Sequence, residues 1–466
     1  MGAEYHLDID KYGERDFPGN PNVKQNNLRN PNRIVREGDI FGYDYYMNVA
    51  NANVWAQMHH NYEKVEFYYA AKFTYTGFQR DGKMENGRYP NVLGADGKYI
   101  TRSYGKGVFH SYYDPSAKAG VVYKITGRHL LSANGIFKMQ APTIYDAYTA
   151  PRISDEMLPN LKSEMIGGAD LNYVITYPKI NARISGYFTE FMNQAQQIAY
   201  YNDAYGTFVH HSISDAHTRN YGVEAGLNWK VWKNLTLSVA GTWSQFKYVS
   251  NPTTGTIRYE NGSEIVTDPK HVNPVIRGFH VGGSPEIAGT ISLQYFWKYW
   301  WFEISANGFG NSYLAPSFIQ RTQDVVTKVA DKDPTGKILI AEFEKQNFTP
   351  SDYFEDNYFL EQFVNGMEYT KQTRLDKWDW KKFNGVPITM DISISKLFYF
   401  KGGKQLNINL NLVNVLNNTG IRTGGYEQGR IPMVRDGFDY DNLNKFPAKY
   451  YYMQGINVFL NVGFKF

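Results

Sequence analysis

Asp331, Asp333, Thr335, Lys337 and Glu342 hold the first, third, fifth, seventh and last positions of a segment with the spacing of a calcium-binding loop, with Gly336 sixth and Ile338 eighth. Calcium needs a cage of oxygens, and a glycine lets the chain turn sharply enough to build one. Thr335 stands where Asp or Asn is usual, so an ordinary polar Pro-Gly turn is the competing reading. An ion there would order a loop and perform no reaction. The pairs His59-His60 and His210-His211 offer imidazoles, but neighbours on a strand point to opposite faces, so neither pair chelates a metal alone. The first pair sits near a predicted tight turn. For the second, beside Tyr200 and Tyr201, a haem or metal-chelate contact and a plain exposed loop are both open. A third group, His110, Tyr112, Asp114, Gln140, Phe246, Tyr248 and Asn307, combines aromatic faces with polar tips, which suits sugars, peptides or chelates equally. Plain filling of an interior is the alternative for each of them. No phosphate-cradling glycine loop, metalloprotease pattern or nucleophile elbow occurs, and the expectation is that the chain is not an enzyme.

The elements that must carry these residues are strands. Aromatics form 16% of the chain and the 49 basic residues nearly balance the 45 acidic ones, which gives no electrostatic reason to expect nucleic acid. With no cysteine, disulfides and thiolate metal sites are excluded. No run approaches the roughly 18 apolar residues of a membrane helix. A membrane location would therefore require a closed β-barrel, in which lipid-facing and interior residues alternate.

Such alternation is clearest from Val65 to Gly77, where Phe67, Tyr69, Ala71, Phe73 and Tyr75 interleave with Glu66, Tyr68, Ala70, Lys72, Thr74 and Thr76. It recurs at 221–231 and 235–244. About thirteen strands are predicted, at 41–60, 64–79, 107–125, 129–141, 162–177, 179–192, 216–231, 235–248, 283–296, 300–310, 386–399, 405–417 and 450–466. Their connections alternate between tight turns and long polar segments at 80–106, 142–161, 193–215, 249–282, 311–385 and 418–449. Tight turns at one rim and long loops at the other are the habit of outer-membrane barrels. A soluble secreted sandwich is the rival, but it would bury a sheet face of Leu, Val and Ile, whereas glycine and aromatics share the apolar face here. The last strand turns Ile456, Val458, Leu460, Val462, Phe464 and Phe466 one way and Asn457, Asn461 and Lys465 the other.

Several short motifs carry a family resemblance. Met139-Gln140-Ala141-Pro142 looks like the strand-to-loop signature of TonB-dependent outer-membrane receptors, and Leu158-Pro159-Asn160-Leu161-Lys162-Ser163-Glu164 resembles that family's Asn-Pro-x-Leu-Lys-Pro-Glu segment, with Ser163 for proline. Tyr221-Gly222-Val223-Glu224 is similar to its Gly-Val-Glu strand start, and Leu412-Val413-Asn414-Val415-Leu416-Asn417-Asn418 to its Asn-Leu-x-Asn motif. The wealth of Asn and Tyr is most like receptors of the Bacteroidetes.

The resemblance implies an all-β transmembrane antiparallel barrel, of which about 13 of the family's 22 strands are present and from which the plug domain is absent. Residues 1–40 would be a remnant of an extracellular loop and 41–466 the C-terminal part of the barrel. Phe464 and Phe466 would form the signal read by the barrel-assembly machinery. Other implied partners are outer-membrane lipid, the TonB complex through the missing N-terminal plug region, and a surface lipoprotein. No cofactor is required, apart from the candidate calcium in loop 311–385. The implied function is energised import of a scarce nutrient, such as an iron chelate, vitamin, glycan or peptide. A self-contained passive porin or surface adhesin is the alternative. The N-terminal residues lack the basic and apolar regions of an export signal, so the expectation is a piece of a longer receptor.

Overall fold

The computed structural model describes residues 42–85, 102–202, 206–259, 265–322, 372–376, 387–430 and 446–466, with residues 14–15, 27, 29, 34–35, 38–40, 92–93, 99–100, 433–434 and 437–438. The candidate calcium segment Asp331–Glu342 lies outside the described residues, as does most of 1–40.

Thirteen long strands follow one another in space as they do in sequence: β1 (Tyr45–Asn61), β2 (Val65–Gly82), β3 (His110–Thr126), β4 (His129–Gln140), β5 (Glu164–Thr176), β6 (Ile180–Asn202), β7 (Thr207–Lys230), β8 (Leu235–Tyr248), β9 (Ile287–Trp297), β10 (Trp300–Gly310), β11 (Ile388–Tyr399), β12 (Gln405–Val413) and β13 (Asn457–Lys465). Every pairing is antiparallel. The connections at one rim, hereafter the inner rim, are tight. Lys298 and Tyr299 both adopt positive φ (44° and 66°), the backbone of a two-residue hairpin whose twist matches its strands. Gly402 and Gly403, at φ 80° and 78°, supply the same handedness without steric cost.

Cross-strand partners share a face, so the register tests the alternation directly. Glu66, Tyr68, Ala70, Lys72 and Thr74 pair with Val122, Gly120, Lys118, Ser116 and Asp114. The same row logic carries Glu224 onto Ser185, then Asn172, then Ser132. A continuous polar face results, the one a barrel turns to its lumen. Its members bind one another: Tyr68 donates to Asn134 Oδ1 (3.2 Å), Asn134 to Asp170 (3.0 Å), Arg183 to Asn172 (2.6 Å), and Asn307 to Asp391 (2.8 Å). On the opposite face Phe73, Ile291, Leu293, Ile304, Val458, Leu460 and Val462 stand exposed, which is the arrangement for contact with hydrocarbon. Trp229, Trp232, Trp297, Tyr299, Trp301 and Tyr399 gather near the inner rim, where amphipathic rings suit a membrane interface.

Compact packing is found instead at the outer ends. Most of the segment 193–215, expected as a loop, is strand: β6 runs on to Asn202 and β7 begins at Thr207, with Ala199 opposite His210 and Ile198 opposite His211. Two register shifts, between Phe191 and Gln194 and between Gln194 and Gln196, disturb the pairing, and Asn193 adopts φ 58°. The first inserts an extra residue in β6 and the second one in β7, so the register resumes beyond them. The short strand Gly255–Tyr259 adds to β7 and pairs in turn with Ile265–Val266. Tyr200, Val209, Ile257, Tyr259, Val272 and Ile319 form one buried apolar cluster, and Ile213, Ala216, Tyr248, Ile276, Phe279 and Phe318 another.

Two further boundaries differ from expectation. β12 stops at Val413 rather than 417, because Asn414 and Asn417 take positive φ (53° and 48°) and turn the chain. The stretch 450–466 divides: Lys449–Tyr452 pairs with Arg422–Tyr426, and only Asn457–Lys465 joins β12.

Replacing Ile291 by Arg should lower the stability of the folded barrel by about 2–4 kcal/mol, since a cation would face hydrocarbon near mid-strand. Thr290→Lys, one residue away on the polar face, should cost far less. Urea midpoints followed by heat-modifiable gel migration of the protein check both.

Candidate functional site

Polar-face residues of the staves, together with the cap of outer connections, form the candidate site. Met139-Gln140-Ala141-Pro142 marks the point where β4 gives way to that cap. Thr143 caps the helical turn Ile144–Ala147 by accepting from Asp146 N (3.3 Å), and Ala147 and Tyr148 pack on Phe78. Tyr148 accepts from Arg80 N (3.1 Å), while the buried Arg80 side chain donates to the carbonyls of Pro151 (2.7 Å) and Ser103 (2.9 Å). Arg258 on the added strand forms an ion pair with Glu156, tying the 142–161 connection to the β6–β7 extension.

The expected site residues do not converge on one place. His110 and Tyr112 lie beside Phe78, with ring centroids 6.2 and 5.5 Å away. Asp114 is 1% exposed, and neither carboxylate oxygen has a hydrogen-bond partner among the described residues. Gln140 donates to Glu164 (2.5 Å) and accepts from Lys138 (2.6 Å). Asp114 and Gln140 line a cavity of about 700 Å³ on the polar face of β1–β4. Phe246 belongs to a second cavity, of about 310 Å³, with Phe191, Gln194, Gln196, Thr218 and Asn220. Tyr248 is buried beneath it and donates to Gln196 (3.4 Å). Asn307 lines a third cavity, of about 640 Å³, with Arg183 and Glu224.

The second histidine pair departs most from expectation. His210 contacts Gln197 (3.1 Å) at the edge of the cap. His211 is 1% exposed inside it, and its Nε2 lies 2.6 Å from the carbonyl of Val272, which fixes that nitrogen as the donor. Tyr200 is buried in the same cluster, whereas Tyr201 is exposed at the hairpin tip, edge-on to Phe208 at 5.5 Å. The exposed loop expected here is therefore not found at Tyr200 and His211, which are buried. His59 pairs with Tyr68 on the polar face while His60 stacks on Phe67 at 4.7 Å on the other, as strand geometry requires. Among the described residues no group of three or more His, Asp or Glu could hold a metal ion.

Sequence reasoning passed over Trp55, Lys118 and Lys138, which line the largest of these cavities beside Lys72. Their signal was parity: Trp55, Lys72, Ser116 and Lys138 form one cross-strand row. The Asn-rich motif after β12 proves structural. Asn414 N donates to Asp391 (2.8 Å), its Nδ2 donates to the carbonyl of Gln454 (2.8 Å), and its Oδ1 accepts from Asn418 N (3.2 Å).

No family model matches the chain, and no curated protein does. Solved structures do. The ferric citrate transporter FecA in its unliganded form superposes with TM-score 0.51 at 12% identity, over 92% of this chain and 47% of FecA. The copper transporter OprC gives 0.54 at 9% identity, over 94% and 51%, and the siderophore receptor PiuA from Acinetobacter baumannii gives 0.50 at 10%, over 90% and 43%. The fold is that of the TonB-dependent receptor barrels. The chain spans about half the length of these neighbours. They are transporters and receptors rather than enzymes.

Burial pushes the His211 imidazole down to about 4, outweighing the hydrogen bond to Val272, which acts upward. The Nδ1 atom is buried without a partner among the described residues, so a proton added there would find no acceptor. A folded-state value below the unfolded 6.5 means that the unfolded form binds the proton first. Stability of the cap is therefore full above pH about 6.5 and falls as pH drops toward 4, by up to about 3 kcal/mol. Amide protection factors at 196–202 and 207–213, taken relative to the intrinsic exchange rate at each pH, should fall as pH drops across that window, and His211→Gln should flatten the dependence.

Proposed function

We propose that the chain forms part of the barrel wall of an outer-membrane transporter that takes up a scarce nutrient, energised through the TonB complex. The observation that carries this reading is the register-verified, two-faced meander: apolar residues exposed on one side and a hydrogen-bonded polar face on the other, with tight turns at one rim and a packed cap at the other. A soluble protein would have to bury that apolar face. The likeness in fold to FecA, OprC and PiuA supports a transporter, and their differing named cargoes, ferric citrate, copper and siderophore, leave this chain's cargo unassigned.

In this reading the chain supplies the C-terminal staves of a Bacteroidetes-type receptor. Phe464 and Phe466 engage the assembly machinery, and a plug region makes the contact with TonB. The lumen-lining groups nearest the outer rim, His110, Tyr112, Asp114, Gln140, Phe246 and Asn307, would meet cargo or plug.

Deleting the gene should leave the host growing normally on rich medium and slow it on one limiting nutrient among iron chelates, cobalamin, oligosaccharides and peptides. Complementation should fail when the TonB system is inactivated. Normal growth on every limiting source, or complementation independent of TonB, would count against energised import and favour a passive barrel.

A further inference from the structure

The cavity on the polar face of β1–β4 has a charge pattern unlike the rest of that face. Trp55, Lys72 and Lys138 share one cross-strand row, with Ser116 between the lysines, and Lys118 lies one row nearer the inner rim. Strand spacing places the Lys72 and Lys138 backbones about 10 Å apart with Lys118 between them. None of the three ammonium groups has a carboxylate partner among the described residues: Lys138 donates to Gln140 (2.6 Å) and Lys118 rests 5.6 Å over the Tyr68 ring. Further along the same strand Lys124 pairs with Glu66 at 2.5 Å, whereas among the described residues no carboxylate stands within the cluster at Lys72, Lys118 and Lys138. Around the lysines the lining is largely apolar, from Trp55, Ala70 and Ile136 on the same face. Asp114 closes the outer side as a shielded carboxylate with no hydrogen-bond partner.

We propose that this cavity binds an amphiphilic organic anion, its carboxylate against Lys72, Lys118 and Lys138 and its apolar body against Trp55 and Ile136. About 700 Å³ is the size of a small-molecule site, and a mostly apolar lining with a few charges is the usual composition of one. Three like charges within such a space repel one another until an anion enters, and low-dielectric walls strengthen the attraction it then feels. Lys118 lies one row nearer the inner rim than Lys72 and Lys138, so the ligand lies with its carboxylate toward that rim. The inference deepens the transport reading and rests on it only for the side of the wall the cavity occupies.

The test uses the receptor containing this chain, purified from outer membranes in neutral detergent, with 2-naphthoate as probe in equilibrium dialysis. Expected are saturable binding at one site per receptor, binding at least about tenfold weaker for 2-naphthylmethylamine, and a similar loss for naphthoate in K72Q/K118Q/K138Q, since tenfold corresponds to about 1.4 kcal/mol. The triple arginine variant should retain binding, and D114N should not weaken it. Heat-modifiable migration confirms that each variant is folded, and the arginine variant separates lost charge from lost structure. Equal affinity for the amine, or naphthoate binding unchanged in the glutamine variant, overturns the proposal. So does the absence of saturable binding, the result expected if a carboxylate of the polypeptide already fills the trough. Failure of nutrient uptake with naphthoate binding intact would instead reject the transport reading and leave the site standing.

Discussion

Every feature of this wall answers to one constraint: a backbone N–H or C=O placed in hydrocarbon must find its partner within the protein, because no water is there to supply one. A helix meets the demand within itself; a strand meets it only through its neighbours. The thirteen staves do so by pairing in strict sequence order, which removes crossovers and makes every pairing antiparallel. The same constraint bears on the two edges. β1 and β13 both run from the outer to the inner rim, so joining them directly would make a parallel seam. Closure with antiparallel pairs alone therefore requires an odd number of further strands, whatever polypeptide provides them.

Satisfying the backbone leaves the side chains with divided tasks. On the lipid side they need only be apolar, and glycine or alanine serves as well as phenylalanine. On the lumenal side they remain polar and bind each other in short chains, such as Tyr68 through Asn134 to Asp170, holding a wet surface without a core. Close packing is confined to the cap, where Arg80, Arg258 and His211 are buried among loop carbonyls, an ion pair and apolar residues. Buried polar groups of this kind are costly when one partner is lost, so the cap is ordered by specific bonds as much as by apolar area.

How far the sequence could be read follows from this division. Between Val65 and Gly77, or Leu235 and Tyr248, the period of two is imposed by two solvents, and the expected strands and six tight turns appear in place. Where the chain leaves the bilayer the two solvents no longer differ, and alternation ceases to report structure. Val209, His211, Ser212 and Ile213 are all buried because protein covers both faces of the hairpin there. The Asn-rich motif after β12 was legible as a motif but not as a turn, since its role lies in the positive φ of Asn414 and bonds to residues as distant as Gln454. Lys118 and Lys138 were hidden differently: each is ordinary on its own strand, and only cross-strand register brings them to Lys72.

The bulges between Phe191 and Gln196 show why the fold and the candidate site became illegible at the same point. In a regular strand Phe191 and Gln194 would face opposite sides, and a period-2 reading must end there. The extra residue in β6 returns Gln194 to the polar face, where Thr218 donates to it at 2.9 Å, and the compensating extra residue in β7 restores pairing toward the tip. Phe191, Gln194 and Gln196 thereby line the same cavity as Phe246, an arrangement that no uninterrupted strand could give. A register shift is the device by which an antiparallel sheet re-aims side chains without losing its ladder. Its cost to the sequence pattern is therefore inseparable from what it builds: the departure from alternation that conceals the hairpin is also what assembles the pocket beneath it.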